Sequence, residues 1–268
     1  MLLKIDQSIF DNHHNYKLGV IIIKNIDNSK RVSSVEALLR GTFVQRKNEI
    51  NNKEVSDLEI VKIWDRALGN FGINPDKNFP FIKSMFTKLK QDDGLKHINL
   101  TEDISKYFAM KHKLPIFALD IDWLCGDLSL NYTKGNEPFR AKNSIQVQYC
   151  KEGEAAYLDD GGIVSRYWNH QQCKRTKLRS KTQNAVFLVE DLCGMHMDVF
   201  GEVLKEMQAA IRKYLGGQIE PYILTEESAV IDLGVQGRHS VDDSKVPQQE
   251  KAHFLKSQAE LFMNQEQN

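Results

Sequence analysis

The chain has 268 residues, 41% of them hydrophobic, so it can bury a sizeable core and disorder on a whole-chain scale is excluded. Lys plus Arg equals Asp plus Glu at 36 each, which excludes a global field drawing it to nucleic acid or membrane and makes any polyanion site local. Four scattered cysteines (Cys125, Cys150, Cys173, Cys193) without a CxxC pair exclude a disulfide scaffold, and no run reaches the roughly 20 apolar residues of a membrane span or the apolar core of a signal peptide. A soluble, cytoplasmic protein is expected.

In chain order, LGVIIIKNI (Leu18 to Ile26) is a continuous β-branched run, the pattern of a strand buried on both faces. SSVEALLRGTFVQRK reads as a helix capped by Ser33 or Ser34. In VSDLEIVKIWDRALGNFG, the residues Leu58, Val61, Trp64, Ala67, Leu68 and Phe71 recur three and four apart between a Ser56 cap and Gly72, which predicts an amphipathic helix. FPFIKSMFTKLKQDDG repeats the pattern with Ile82, Met85, Phe86 and Leu89 and a stop at Gly94. TEDISKYFAMKHK supplies another helix, ended by Pro115. From IFALDID to Glu190 the pattern turns to strands: LSLNYT, SIQVQYC, EAAYL, GIVSRYW and AVFLVE, with TKGNEP and DDGG as turn signals. MDVFGEVLKEMQAAIRKYLGG then predicts a helix closed by Gly216 and Gly217, and IEPYILT a strand. Polar, turn-rich residues 237–249 read as a linker, and Phe254, Leu255, Leu261 and Phe262 mark an amphipathic helix over 250–268. Helices and strands segregate partly in sequence, so the expected fold class is α+β. Neither a GxxxxGK[ST] loop nor a GxGxxG turn is present, which removes the nucleotide-binding folds built on them.

Four features carry candidate chemistry. Asp120 and Asp122 alternate at a strand end, so both carboxylates are expected on one face, able to share a proton, bind a cation or simply cap a turn. His170, Cys173, Cys193 and His196 offer four zinc-competent ligands whose spacing matches no strong finger pattern. No GxSxG elbow is present, and a Cys–His nucleophile would rest on arbitrary pairing. RYWNHQQCKRT, from Arg166 to Thr176, gathers aromatics and neutral hydrogen-bonding groups ahead of the basic run CKRTKLRSK. Lys and Arg there suit a phosphate backbone, and Arg166, Trp168, Asn169 and His170 suit an ester, an amide or an ammonium group.

EGEAAYLDDGGIVSRYWNHQQCKRTKLRSKTQNAVFLVED resembles the second half of the B3/B4 domain, the tRNA-editing domain of the bacterial phenylalanyl-tRNA synthetase beta subunit, and more so the free-standing proteins made of that domain. The matching positions are Gly153, Glu154, Asp159, Asp160, Arg166, Trp168, Asn169, His170, Gln171, Thr176, Thr182 and Asn184. Upstream, Asp103, Pro115, Asp120, Asp122 and Gly126 match. Lys106 stands where the family has asparagine, and Phe117 where the synthetase has histidine.

The resemblance spans Leu18 to Thr225 and implies a B3/B4-like domain over 1–236, with a central, mostly antiparallel sheet flanked by helices. It implies hydrolysis, in trans and without cofactor or metal, of the ester joining a wrong amino acid to the 3′ end of tRNA. Asn169, His170 and Gln171 would then be catalytic, with a bound water at His170 or Gln171. Arg166, Trp168, Phe117, Asp120, Asp122 and Thr182 would bind substrate, and Lys174, Arg175, Lys177 and Arg179 would meet phosphates. Charged tRNA is the expected partner, with no membrane and no DNA. Two alternatives stand beside this: a non-catalytic module binding tRNA or an amino acid in the same fold, and a zinc-stabilised binding protein using His170, Cys173, Cys193 and His196.

Overall fold

Apolar periodicity, caps and turn residues divide the chain into β1 (Leu2–Ile5), α1 (Gln7–Asn12), β2 (Lys17–Lys24), α2 (Ser33–Ile50), α3 (Glu59–Asn70), α4 (Phe81–Lys90), α5 (Leu100–His112), β3 (Ile116–Asp120), β4 (Leu128–Lys134), β5 (Pro138–Phe139), β6 (Gln148–Tyr149), β7 (Glu152–Asp159), β8 (Gly162–Arg166), β9 (Gln171–Gln172), β10 (Ala185–Asp191), α6 (Met197–Tyr214), β11 (Gln218–Leu224) and β12 (Val230–Asp232). The computed structural model describes residues 1–92 and 96–235, which fall in one unit, Met1–Arg238. The expected helix stop at Gly94, the linker over 237–249 and the helix over 250–268 lie outside the described residues.

The β-branched run forms β2, buried along its length except at the ends. It sits inside a four-stranded antiparallel sheet of order β11-β2-β10-β3, in which Ala185 to Asp191 of β10 pair with Ile23 to Lys17. Because strand side chains alternate, this sheet feeds two cores. Val20, Ile22, Phe117, Leu119, Val186 and Leu188 join the core that holds Val61, Trp64 and Leu68 of α3, Ile82 and Phe86 of α4, and Ala155, Tyr157 and Val164 of β7 and β8. Ile21, Ile23, Ile116, Ala118, Phe187 and Val189 join the core of α5 and α6. A second sheet, β12-β1-β4-β7-β8-β9, is antiparallel apart from the parallel pair β1 and β4, and β5 and β6 form a separate ribbon. The fold is α+β, with its mostly antiparallel strands divided between two sheets.

Local chemistry explains where elements depart from the sequence reading. α3 starts at Glu59, because Leu58 stays extended and Val55–Asp57 form a separate 3-10 turn around the expected Ser56 cap. α2 begins at Ser33 with Val32 at its cap position and no side-chain cap bond. Asn99 caps α5 by accepting from the Glu102 amide at 3.0 Å, and Lys113, in a left-handed conformation, ends it before Pro115. SIQVQYC contributes only Gln148 and Tyr149 to a ladder. GIVSRYW stops pairing as a strand at Arg166, since Tyr167 and Trp168 take positive φ. Among the described residues, no helix is long and apolar enough to cross a membrane.

Candidate functional site

Left-handed backbone at two successive bulky aromatics, with φ of 49° at Tyr167 and 61° at Trp168, persists only where the surroundings over-determine it. Those surroundings are explicit. Trp168 is fully buried, with His13, Tyr16 and Trp64 rings near perpendicular to it at centroid distances of 5.2, 5.2 and 5.5 Å. Its indole Nε1 donates to Glu190 Oε1 at 2.8 Å.

Glu190 follows the apolar run of β10, one residue before the strand ends, and is 0% exposed. Its Oε1 also accepts from Tyr157 at 2.6 Å and Tyr16 at 3.2 Å, and its Oε2 accepts from Asn169 Nδ2. Among the described residues no cation forms an ion pair with it. Burial pushes its carboxyl up to about 7, against the pull of those four hydrogen bonds. The same burial, with the carboxylate alongside, raises both tyrosines well above their ordinary range. The sequence reading passed over this group. Its one local signal was a carboxylate ending an apolar run, a position where a charge is rarely left unpartnered.

Asn169 bridges Glu190 to the start of α4, which His170 also holds. Asn169 Oδ1 accepts from the Phe81 amide at 3.0 Å, capping a helix whose own cap residue, Pro80, makes no side-chain bond. His170 Nδ1 donates to the Phe79 carbonyl, and burial lowers the imidazole pKa. Gln171, next along, is exposed on β9. Arg166 is also committed: its Nε and Nη2 form a bidentate pair with Glu154, both at 2.9 Å, and Nη1 reaches Gln148 Oε1 at 3.0 Å.

A second group assembles at the end of β3. Asp120 is buried. Its Oδ2 accepts from Thr182 Oγ1 at 2.6 Å, and its Oδ1 accepts from the Asp122 amide at 3.2 Å, capping a 3-10 turn over Ile121–Trp123. Burial raises the Asp120 carboxyl pKa, with Asp122 adding to the rise. The turn breaks strand alternation, so Asp122 does not share the Asp120 environment. It is exposed, and both its oxygens accept from Asn184 Nδ2 at 3.0 and 3.1 Å. Thr182 also accepts from the Arg179 amide at 2.9 Å and donates its own amide to the Arg179 carbonyl at 3.0 Å. That closed loop sets the Arg179 guanidinium over the Trp123 ring, 5.0 Å from its centroid.

The residues expected to bind substrate therefore fall into separate groups. Phe117 packs on Tyr157, with ring centroids 5.6 Å apart, on the Trp168 and Glu190 side of the sheet, while Asp120, Asp122 and Thr182 gather at the strand end. Among the expected phosphate contacts, Arg175 is engaged internally. Its Nη1 and Nη2 meet the Asp159 carboxylate at 2.8 and 2.6 Å, and Nη1 also meets the Trp123 carbonyl at 2.6 Å. Lys174 and Arg179 are exposed and Lys177 is half-buried. Cys173 is buried 3.2 Å from the Thr176 hydroxyl, Cys193 is exposed, and the described residues hold no group of three or more His, Cys, Asp or Glu side chains placed to bind a metal ion. Surface recesses lined by Ser33, Arg40 and Val44, and by Arg31, His97 and Asp103, share no residue with either group.

Fold and site together define an α+β domain that presents a polar and basic rim at the end of β3 over a packed, hydrogen-bonded interior. Residues 63–193, from within α3 to just past β10, match the family model of the B3/4 domain. No curated protein matches the chain. Among solved structures it is similar to an N-terminal fragment of the phenylalanyl-tRNA synthetase beta-subunit from Pyrococcus horikoshii, at 11% identity and a TM-score of 0.41, over 81% of this chain and 49% of the fragment. The chain thus spans about half the length of that fragment.

Proposed function

We propose that this protein binds the 3′ end of charged tRNA and hydrolyses the ester of wrongly attached amino acids, acting in trans. The family match supports the reading, and one geometric observation carries it: the Asp122–Asn184 pair, the loop anchored by Asp120 and Thr182, and the cations Lys174, Lys177 and Arg179 share one rim. Hydrolysis adds water across the ester. The acyl carbon gains hydroxide, the acyl C–O bond breaks, and the ribose oxygen leaves with a proton. In this account the exposed Asp122 carboxylate meets the α-ammonium, while Lys174, Lys177 and Arg179 meet phosphates. Asp120 and Thr182 are positioning residues that hold the loop. Gln171 is exposed and can meet a water, whereas Asn169 and His170 act through the turn that carries it.

A panel of mischarged tRNAs tests this directly. Deacylation above the spontaneous rate, reduced by Asp122→Ala in a variant that keeps its unfolding midpoint, is the expected result. The engagement of Asn169 with Glu190 and Phe81, and of His170 with Phe79, favours a second reading, a binding module without turnover. Retained tRNA binding with no hydrolysis of any substrate would select it.

A further inference from the structure

The chain has three tryptophans. Trp64 and Trp168 are fully enclosed, whereas Trp123 is partly exposed, in the turn between the buried Asp120 and the exposed Asp122. A surface indole has several ordinary uses, but this one is unusually well fixed. Its carbonyl accepts from Arg175 Nη1 at 2.6 Å, and Arg175 is clamped by the fully buried Asp159 side chain, which also accepts from the Cys125 and Gly161 amides at 2.8 and 2.9 Å. The Arg179 guanidinium lies against its ring, and the Arg179 backbone is tied to Thr182 in both directions and to Asn28 Nδ2, which donates to its carbonyl at 2.8 Å.

Charge alone would serve a phosphate backbone, and the exposed Lys174 and Lys181 already supply it. A planar cation set on an indole adds a flat π surface, which is what an unpaired base stacks on whatever its identity. We propose that Trp123, with Arg179 against its ring, is the stacking subsite for the unpaired 3′-terminal base of the tRNA. This rests on the tRNA reading given above and adds to it a residue and a ligand group. The base takes the indole face, Arg179 either sandwiches it or swings to the adjoining phosphate, and the terminal ribose lies toward Asp122 and Asn184.

The experiment compares intact tRNA with the same tRNA lacking its terminal adenosine, using the full chain, filter binding for affinity and tryptophan emission as a local report. Since the other two indoles are enclosed, stacking should quench the Trp123 emission with intact tRNA and much less with the shortened one. Removing the adenosine should weaken binding about tenfold or more. Trp123→Ala should lose the same factor for intact tRNA and change little for the shortened form, with Trp123→Phe retaining most of the affinity. Arg179→Ala, at an exposed side chain, gives an independent reading should Trp123→Ala fail to fold, and should narrow the difference between the two tRNAs. Equal affinities of the wild type for the two tRNAs, or full affinity of Trp123→Ala for intact tRNA, would overturn the subsite and leave the tRNA reading standing. Absence of binding to either tRNA would overturn both.

Discussion

Residues 166–170 and residues 174–184 are neighbours in sequence and both rich in polar side chains, yet they do opposite things. The first stretch turns inward. Arg166 is spent on Glu154, Trp168 and Asn169 on Glu190, and Asn169 and His170 on the start of α4. The second wraps the end of β3 and leaves Lys174, Arg179 and Lys181 at the surface, while Arg175 is drawn inward to Asp159 and Thr182 to Asp120. Composition alone does not separate a recognition surface from an internal network. What separates them is the number of polar partners each side chain already has.

The contrast breaks first at Trp168. Trp168→Ala should cost about 3–5 kcal/mol of folding stability, since it empties a packed aromatic site and unsatisfies Glu190. Denaturant unfolding measures this, and a cost below about 1 kcal/mol would mean that the stretch is not a structural anchor. Arg175→Ala should come next, at about 3 kcal/mol, because it leaves the Asp159 carboxylate, itself fully enclosed, without its cation. A loss of tRNA affinity from that variant at unchanged stability would instead return Arg175 to the surface group.

Glu190 gives a pH signature of the inward region. Its folded carboxyl sits at about 7, above the ordinary range near 4.3 of an unfolded chain, so the folded state holds the proton more tightly. Its stabilising contribution is fully present below the unfolded value and is lost as pH rises through the folded one, by roughly 4 kcal/mol across that window. The difference in unfolding free energy between the wild type and Glu190→Gln, measured from pH 4 to 8, isolates this slope. His13 and His170, whose pKa values burial lowers, contribute the opposite trend to both proteins and cancel in the difference. A flat difference would show that Glu190 stays ionised in its cluster.

Much of the fold was legible. The apolar runs of β2 and β10, the helical spacing of α3, α4 and α6, and the alternation in β4 all follow from local patterns. The inward role of Trp168 was not, because it depends on Tyr16 from β2's approach, Trp64 from α3 and Glu190 from β10, none of which lies near it in sequence. The Asp120–Asp122 pair misled for a different reason: strand alternation puts both on one face only if the strand continues, and the Asp120 side chain itself caps the turn that ends it. At the rim, the basic run was visible as charge, but the commitment of Arg175 to Asp159, sixteen residues back, was not.

The most direct test of the division is the salt dependence of tRNA binding by wild type and by Lys174→Ala/Lys177→Ala. Both substitutions sit on the outward stretch and should leave folding stability within about 0.5 kcal/mol per site. Each lost phosphate contact should reduce the slope of log K against log salt by about one unit, so the double variant should show a slope shallower by about two. An unchanged slope at unchanged stability would contradict the assignment of this rim as the tRNA-facing surface.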